Sequence, residues 1–297
     1  MRPLIAVDWG TSSLRVARVD IQGRVQEERS LPRGILTVPP GGFPAVFQDA
    51  CGDWMRVPGA LALVCGMAGS RQGWMEAPYC ECPAGFADIA SHLVWIEPGR
   101  IAMVPGLSCE RDGVPDVMRG EETQVFGALA LLGLDSGLVV HPGTHSKWVR
   151  VAGGRVEGFS TFMTGEFYGL LRQHSILGRT MPPDDGALDA DAFERGVHYA
   201  LHTGTLLHAA FSARTLALFD RMPAAALPSY LSGLVIGEEL RVHQSDSGSD
   251  PVVVVGADML TRRYELGLRI LGVATRNAGS QAAWRGLRAI ADTLEGT

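Results

Sequence analysis

The chain has 297 residues, 46% hydrophobic and 20% charged, with a net charge of −6. That length suits two ordinary domains with sizeable cores. The acidic balance offers no basic face to nucleic acid or to an anionic membrane. Five scattered cysteines (Cys51, Cys65, Cys80, Cys82, Cys109) include one close pair, Cys80 and Cys82, with no second pair at zinc spacing. Reduced thiols in a cytoplasmic protein are therefore expected. Asp8 interrupts the first apolar run, and no later stretch approaches the roughly 18 apolar residues of a membrane span.

In chain order, Leu4 to Val7 is a short apolar strand ending on Asp8, followed by Trp9-Gly10-Thr11-Ser12-Ser13 and a second strand from Leu14 to Asp20. The pair reads as a β-hairpin. Small and hydroxyl residues at such a turn let backbone N–H groups approach an anion. A carboxylate beside them makes sense if it holds a divalent cation that bridges to phosphate. The plainer alternative is a hairpin turn with a solvated acid. A third strand follows from Val25 to Arg29, then a Pro/Gly-rich loop from Pro32 to Pro44 and a short helix from Pro44 to Met55.

Ala60 to Cys65 reads as a buried strand running into Gly66-Met67-Ala68-Gly69-Ser70-Arg71-Gln72-Gly73. A strand end followed by glycines and an Arg is a common ligand position in open α/β sheets. Trp74, Tyr79 and Trp95 suit core packing better than stacking on a sugar. Arg100 to Pro105 reads as a strand, and a loop then carries Pro115 to Thr123. Glu121 and Glu122 follow Gly120 and precede an apolar helical run from Val125 to Leu134. They suit a first helical turn, where acids complement the dipole, or a general base with a neighbouring water or metal ligand.

The domain boundary is expected near Gly133 to Ser136, which divides the chain into 1–134 and 135–297. Just beyond it the opening pattern recurs. Leu138 to His141 runs into Pro142-Gly143-Thr144-His145-Ser146-Lys147, a second strand leaves, and Gly153-Gly154 turns into a third strand from Arg155 to Thr161. Two such turns facing each other would clamp a polyphosphate. Thr164 to Arg172 reads as a helix, Met181 to Gly186 as a loop, and Asp189 to Gln244 as helices broken near Thr203-Gly204, Pro223 and Pro228. Small residues between Leu231 and Leu240 are consistent with close packing near a nucleotide. His198 and His202 lie one helical turn apart without an acidic partner, so no metal is assigned there. Ser245 to Asp250 is a polar loop, Pro251 to Val255 a buried strand, and Gly256-Ala257-Asp258 opens a helix. A final amphipathic helix from Gln281 to Leu294 can pack back on the first domain.

These motifs resemble the actin-like ATPase superfamily, which includes sugar kinases, Hsp70 and exopolyphosphatases, and more closely the 2-dehydro-3-deoxygalactonokinases. The resemblance rests on Val7 to Arg15, Gly69 to Trp74, Met118 to Gln124, Pro142 to Trp148 and Phe162 to Glu166, and it covers nearly the whole chain. It implies an α/β fold of two actin-like (ribonuclease H-like) domains with ATP in the cleft between them. By resemblance, Gly10, Thr11, Ser12, Ser13, Gly143, Thr144, His145, Ser146 and Lys147 would bind the phosphates. Asp8 would hold Mg²⁺, and Gly256, Ala257 and Asp258 would meet the adenosine.

The substrate implied is a small sugar acid, 2-dehydro-3-deoxy-D-galactonate phosphorylated at its 6-hydroxyl. Arg71 is the preferred carboxylate anchor, with Arg119, Ser70 and Gln72 beside it. Related sugar kinases take their base from a Gly-Asp-Gln motif. Here Gly120-Glu121-Glu122 stands in that place, so Glu121 is the expected base, with Glu122 holding water, metal or a sugar hydroxyl. Asp116, in the preceding loop, is a third choice. An exopolyphosphatase-like hydrolase and a non-enzymatic sugar-sensing ATPase remain the alternatives, and a homodimer stays open.

Overall fold

The computed structural model describes residues 2–242 and 250–295. Of the polar stretch Ser245 to Asp250, only Asp250 is among them. The chain opens with β1 (Leu4–Trp9), β2 (Leu14–Val19), β3 (Val25–Leu31), α1 (Phe43–Cys51) and β4 (Leu61–Cys65). Then come β5 (Tyr79–Glu81), α2 (Phe86–Ser91), β6 (Val94–Glu97), β7 (Ile101–Met103), β8 (Gly106–Arg111), β9 (Val114–Met118) and α3 (Glu121–Leu132). The second meander is β10 (Gly137–His141), β11 (Ser146–Ala152) and β12 (Arg155–Phe162). Helices dominate the remainder: α4 (Thr164–His174), α5 (Ala190–His202), α6 (Leu206–Ala209), α7 (Ser212–Leu218) and α8 (Leu227–Val242). The chain closes with β13 (Val252–Val254), α9 (Asp258–Ile270), β14 (Thr275–Asn277) and α10 (Ala282–Glu295).

The repeat legible in the turns is repeated in the sheets. One sheet has the order β3-β2-β1-β4-β7-β6 and a second β12-β11-β10-β13-β14, so each meander leads onto later strands on the side of its first strand; a smaller sheet is β5-β8-β9. β1 pairs antiparallel with β2 and parallel with β4, placing Asp8 opposite Cys65. The fold is α/β and actin-like. No helix among the described residues is long and apolar enough to cross a membrane.

Two compact units result. One comprises Met1–Val139, Trp148–Ser160 and Ala278–Thr297, and the other Val140–Lys147 and Thr161–Asn277. Residues 148–160, most of the β11–β12 hairpin, belong with the first unit because their own contacts lie there. Val156 bridges to Ala84, Gly154 N donates to Asp135 O, and Arg155 pairs with Asp88 at 2.9 Å.

Within the first unit, β1 and β4 are buried along their apolar lengths. Ile5, Val7 and Trp9 join α1's Val46, Phe47 and Ala50 in one core layer, and Leu4 and Ala6 alternate to the other face. There α10 packs on β1 and crosses α3. Within the second unit, α8 is buried nearly all round and lies against α5. Its small residues serve that crossing: a Cβ on Gly233 would fall 2.1 Å from Phe193 O.

Residues 106–118 form a hairpin rather than the expected loop. Asp112 and Gly113 both take positive φ (53° and 78°), the type I′ geometry that closes two-residue hairpins. Pro228 starts α8 instead of breaking a helix, since a first-turn proline forfeits no intrahelical bond. The short elements β5, α2, β6 and β14 lacked a periodic signature and were not expected.

The α3–α10 crossing leaves no room for side chains at its contact points. A Cβ on Gly127 would lie 1.8 Å from Ala282 O, and one on Gly286 would lie 1.9 Å from Thr123 O. Gly286→Ala should therefore destabilise the protein by about 1–3 kcal/mol or more through overpacking. Gly169, inside α4, meets nothing within 4 Å among the described residues. Gly169→Ala should be neutral or stabilising by about 0.5–1 kcal/mol. Denaturant midpoints of the two variants check the contrast; equal midpoints would refute the packing argument.

Candidate functional site

In the first unit the chemistry gathers at the ends of β1 and β4 and the start of α3. Gly66 ends β4 with φ +88°, and Gly120 precedes α3 with φ +106°, a region favourable to glycine. A Cβ on Gly120 would sit 3.0 Å from Gly66 Cα, and one on Gly66 would sit 2.8 Å from Trp9 O and 3.4 Å from an Asp8 carboxyl oxygen. Absence of side chains thus brings Asp8, Gly66 and the Gly120-Glu121-Glu122 turn together.

The three acids have different environments. Asp8 is partly buried, and its pKa is pushed up to about 6: burial dominates, Arg15 opposes it, and Glu121 adds to it. Glu122 is fully buried. Its Oε2 accepts from Gly120 N at 2.6 Å, while Oε1 finds no partner among the described residues. Burial, then the charge of Glu121, pushes its pKa up to about 8, so it carries its proton at neutral pH. Glu121 keeps partial exposure and accepts from Arg119 N at 2.9 Å.

The two candidate arginines also separate. Arg71 is 88% exposed and paired with Glu76 at 2.9 Å. Arg119 lies over the Tyr79 ring, 4.3 Å from its centroid, and donates from Nη2 to Ala77 O at 2.7 Å. Its Nε and Nη1 are buried and find no partner among the described residues. Gly69 makes room for it, since a Cβ there would lie 2.9 Å from Nη1. Ser70 turns its hydroxyl onto Met67 O at 2.8 Å, and Gln72 is exposed. Of the aromatic residues expected in the core, only Trp74 is there, packed on Trp9 and Phe47; Tyr79 and Trp95 are exposed at 41% and 36%. Tyr79's use is the cation–π contact, which sequence spacing could not reveal.

Thr11, Ser12 and Ser13 of the first turn are exposed, and Gly10 N closes the turn onto Ser13 O. The loop behind it is a brace: Ile35 N donates to Gly10 O and Trp9 Nε1 to Arg33 O. Gly34 is required there, because a Cβ would lie 2.2 Å from Thr11 O.

In the second unit, Thr144 and His145 of the corresponding turn are exposed and Gly143 is partly so. His145 pairs with Glu166 at 2.6 Å. Ser146 and Lys147 differ from the expectation of phosphate ligands: both are buried, with Ser146 Oγ donating to Glu239 at 2.7 Å and Lys147 Nζ to Thr161 Oγ1 at 2.7 Å. Gly165 fits α4's start against the turn, where a Cβ would lie 2.4 Å from Gly143 O.

Beside this turn is a cavity of about 150 Å³. Val235 and Ile236 of α8, Met259 and Leu260 of α9, and the rings of Tyr168 and Tyr264 line it. Arg263, bonded to Ser232 Oγ at 2.6 Å, and Asp185 are its polar margin. Gly256 (φ +146°), Ala257 and Asp258 are not among its lining residues, which in α9 begin directly after them with Met259 and Leu260. Their signal was the apolar pair Met259-Leu260 followed by Arg263-Tyr264 at helical spacing.

Glu122 yields a prediction with a definite sign. Its folded pKa of about 8 lies above the ordinary 4.5, so between those values the folded state holds a proton that the unfolded state releases. Its contribution to stability is fully present below about pH 4.5 and is lost as pH rises through 8. Glu122→Gln removes this titration. The thermal midpoint of the native chain relative to the variant should fall steadily from about pH 5 to pH 9, and a constant difference would refute the buried protonated state.

The family model described as 2-keto-3-deoxy-galactonokinase matches residues 8–290. A relative named "Probable 2-dehydro-3-deoxygalactonokinase", from Rhizobium meliloti, is 41% identical over 97% of this chain and 96% of its own. The 2-dehydro-3-deoxygalactonokinase of Escherichia coli is 35% identical over 98% of each chain. A crystal structure from Sinorhizobium meliloti, described under the same kinase name, superposes with a TM-score of 0.87 at 38% identity and covers 98% of this chain and 99% of its own. The chain belongs to the 2-keto-3-deoxy-galactonokinase family.

Proposed function

We propose that the protein transfers a phosphoryl group from ATP to the 6-hydroxyl of 2-dehydro-3-deoxy-D-galactonate, with the first unit holding the sugar acid and the second the nucleotide. The observation that carries the reading is Arg119, two of whose guanidinium nitrogens, Nε and Nη1, are buried beside the start of α3 without a partner among the described residues. Unmet donors on a cation suit a carboxylate, and guanidinium can bind one bidentately. Arg119 is therefore the anchor in this reading, and Arg71, exposed and already paired, is not.

Glu121 is the catalytic base. It is the accessible acid of the Gly120-Glu121-Glu122 turn, and Arg119 N orients its carboxylate. As the sugar oxygen bonds to the γ-phosphorus and ADP leaves, the hydroxyl proton passes to Glu121. Glu122, sealed from solvent, positions this turn through Gly120 N and does not touch the substrate. The apolar cavity suits an adenine, and the exposed Gly143-Thr144 turn next to it offers backbone N–H groups and a hydroxyl to phosphate. The Gly10 to Ser13 turn of the first unit carries the same kind of donors, backbone N–H groups and exposed hydroxyls.

The donor set also fits Mg²⁺. Asp8 is a hard oxygen ligand whose ionised form is disfavoured by burial and by Glu121, a penalty that a cation relieves. Mg²⁺ bound there would neutralise phosphate charge; Asp8 is the residue that would hold it.

Two variants test the reading by steady-state kinetics with a coupled ADP assay. Glu121→Gln should lower kcat by about 10²–10⁴, the usual range for a lost general base, with KM for ATP little changed. A rate within a few-fold of the native enzyme would remove Glu121 from that role. Arg119→Ala should raise KM for the sugar acid by about 10–100-fold, as expected for a lost charged hydrogen bond, and leave KM for ATP near its native value. If Arg71→Ala shows that pattern instead, the anchor is Arg71.

A further inference from the structure

A buried acid outside the reacting groups joins the walls of the nucleotide site. Glu239 lies on α8 and is 2% exposed. Three hydroxyls converge on its Oε2: Ser146 Oγ at 2.7 Å, Tyr264 OH at 2.7 Å, and Thr164 Oγ1. Each comes from a different element. Ser146 begins β11 directly after the Gly143-Thr144-His145 turn. Thr164 begins α4, whose Gly165 presses on Gly143. Tyr264 is on α9 and lines the apolar cavity.

We infer that Glu239 is a positioning residue that sets the phosphate turn in register with the adenosine cavity. The inference rests on the proposed nucleotide site and deepens it. A buried carboxylate must be met by donors, and hydrogen bonds to it are stronger than bonds between neutral groups. One acceptor oxygen shared by three donors also fixes their mutual distances, which three separate pairs would not do. The turn that meets phosphate and the helix that meets the base are thereby held to one spacing. ATP spans both sites, so its binding depends on that spacing, whereas adenosine alone needs only the cavity. The arrangement also explains why Ser146, read from sequence as a phosphate ligand, is turned inward: its proton is committed to Glu239.

The test compares Glu239→Gln, which keeps the shape and removes the charge, with Tyr264→Phe, which removes one donor. In the coupled assay, Glu239→Gln should raise KM for ATP about tenfold or more, the scale of a charge-assisted hydrogen bond. KM for the sugar acid and the competitive inhibition constant of adenosine should stay within about threefold. Tyr264→Phe should move the same constants in the same direction by less, and it keeps the test alive if the Gln variant does not fold. Equal changes in both KM values, a parallel loss of adenosine binding, or no change in either variant would overturn the inference. If the native enzyme itself binds neither ATP nor adenosine, the nucleotide-site reading fails instead.

Discussion

The first unit depends on the contact between Gly66 and Gly120. Both backbones take positive φ, and neither position has space for a Cβ without meeting neighbouring backbone. This contact brings the start of α3 against the ends of β1 and β4. It places Asp8, Glu121 and Glu122 close enough for the charge of Glu121 to add to burial, the larger cause, in raising the pKa of the other two. A side chain at either glycine would separate the acids and leave Arg119 without its surroundings. The α3–α10 crossing, with its own glycine contacts, holds the helix in place from the other side.

Charge in this unit is partitioned by burial. The turn region carries three acidic side chains in an acidic chain, yet the sugar acid of the proposed reaction is itself an anion. Glu122 answers part of that difficulty by staying protonated in its sealed position. In the proposed reading Arg119 answers another part: its guanidinium is stacked on Tyr79 and tethered to Ala77 O, and its Nε and Nη1 find no partner among the described residues. Desolvation makes those unmet donors costly to the free protein and valuable to an incoming carboxylate.

In the proposed reading the second unit meets a different demand, the spacing of a phosphate turn and a base pocket. Its means are a buried carboxylate and close helix packing. Gly196, Gly233 and Gly237 let α5 and α8 approach closely, and α8 then carries Val235, Ile236 and Glu239 toward the cavity and the turn.

The amino-acid sequence alone determined the repeated meander, the two Gly-Thr turns and the buried β1, β4 and β13 strands. These are local patterns, with apolar runs ended by small residues, and local sterics suffice to produce them. The same holds for the Gly120-Glu121-Glu122 helix start. What tertiary structure decided was which side chains remain available. Arg71 and Arg119 stand in equally suggestive loops, but only packing pairs one with Glu76 in solvent and lays the other over Tyr79. Adjacent Glu121 and Glu122 look equivalent in sequence, and the direction each takes from α3 leaves one partly exposed and buries the other. Ser146 and Lys147 sit in a phosphate-type turn, yet the alternation of β11 and partners far along the chain, Glu239 and Thr161, turn them inward. Burial and partnership at these positions come from residues distant in sequence, so no local pattern encodes them.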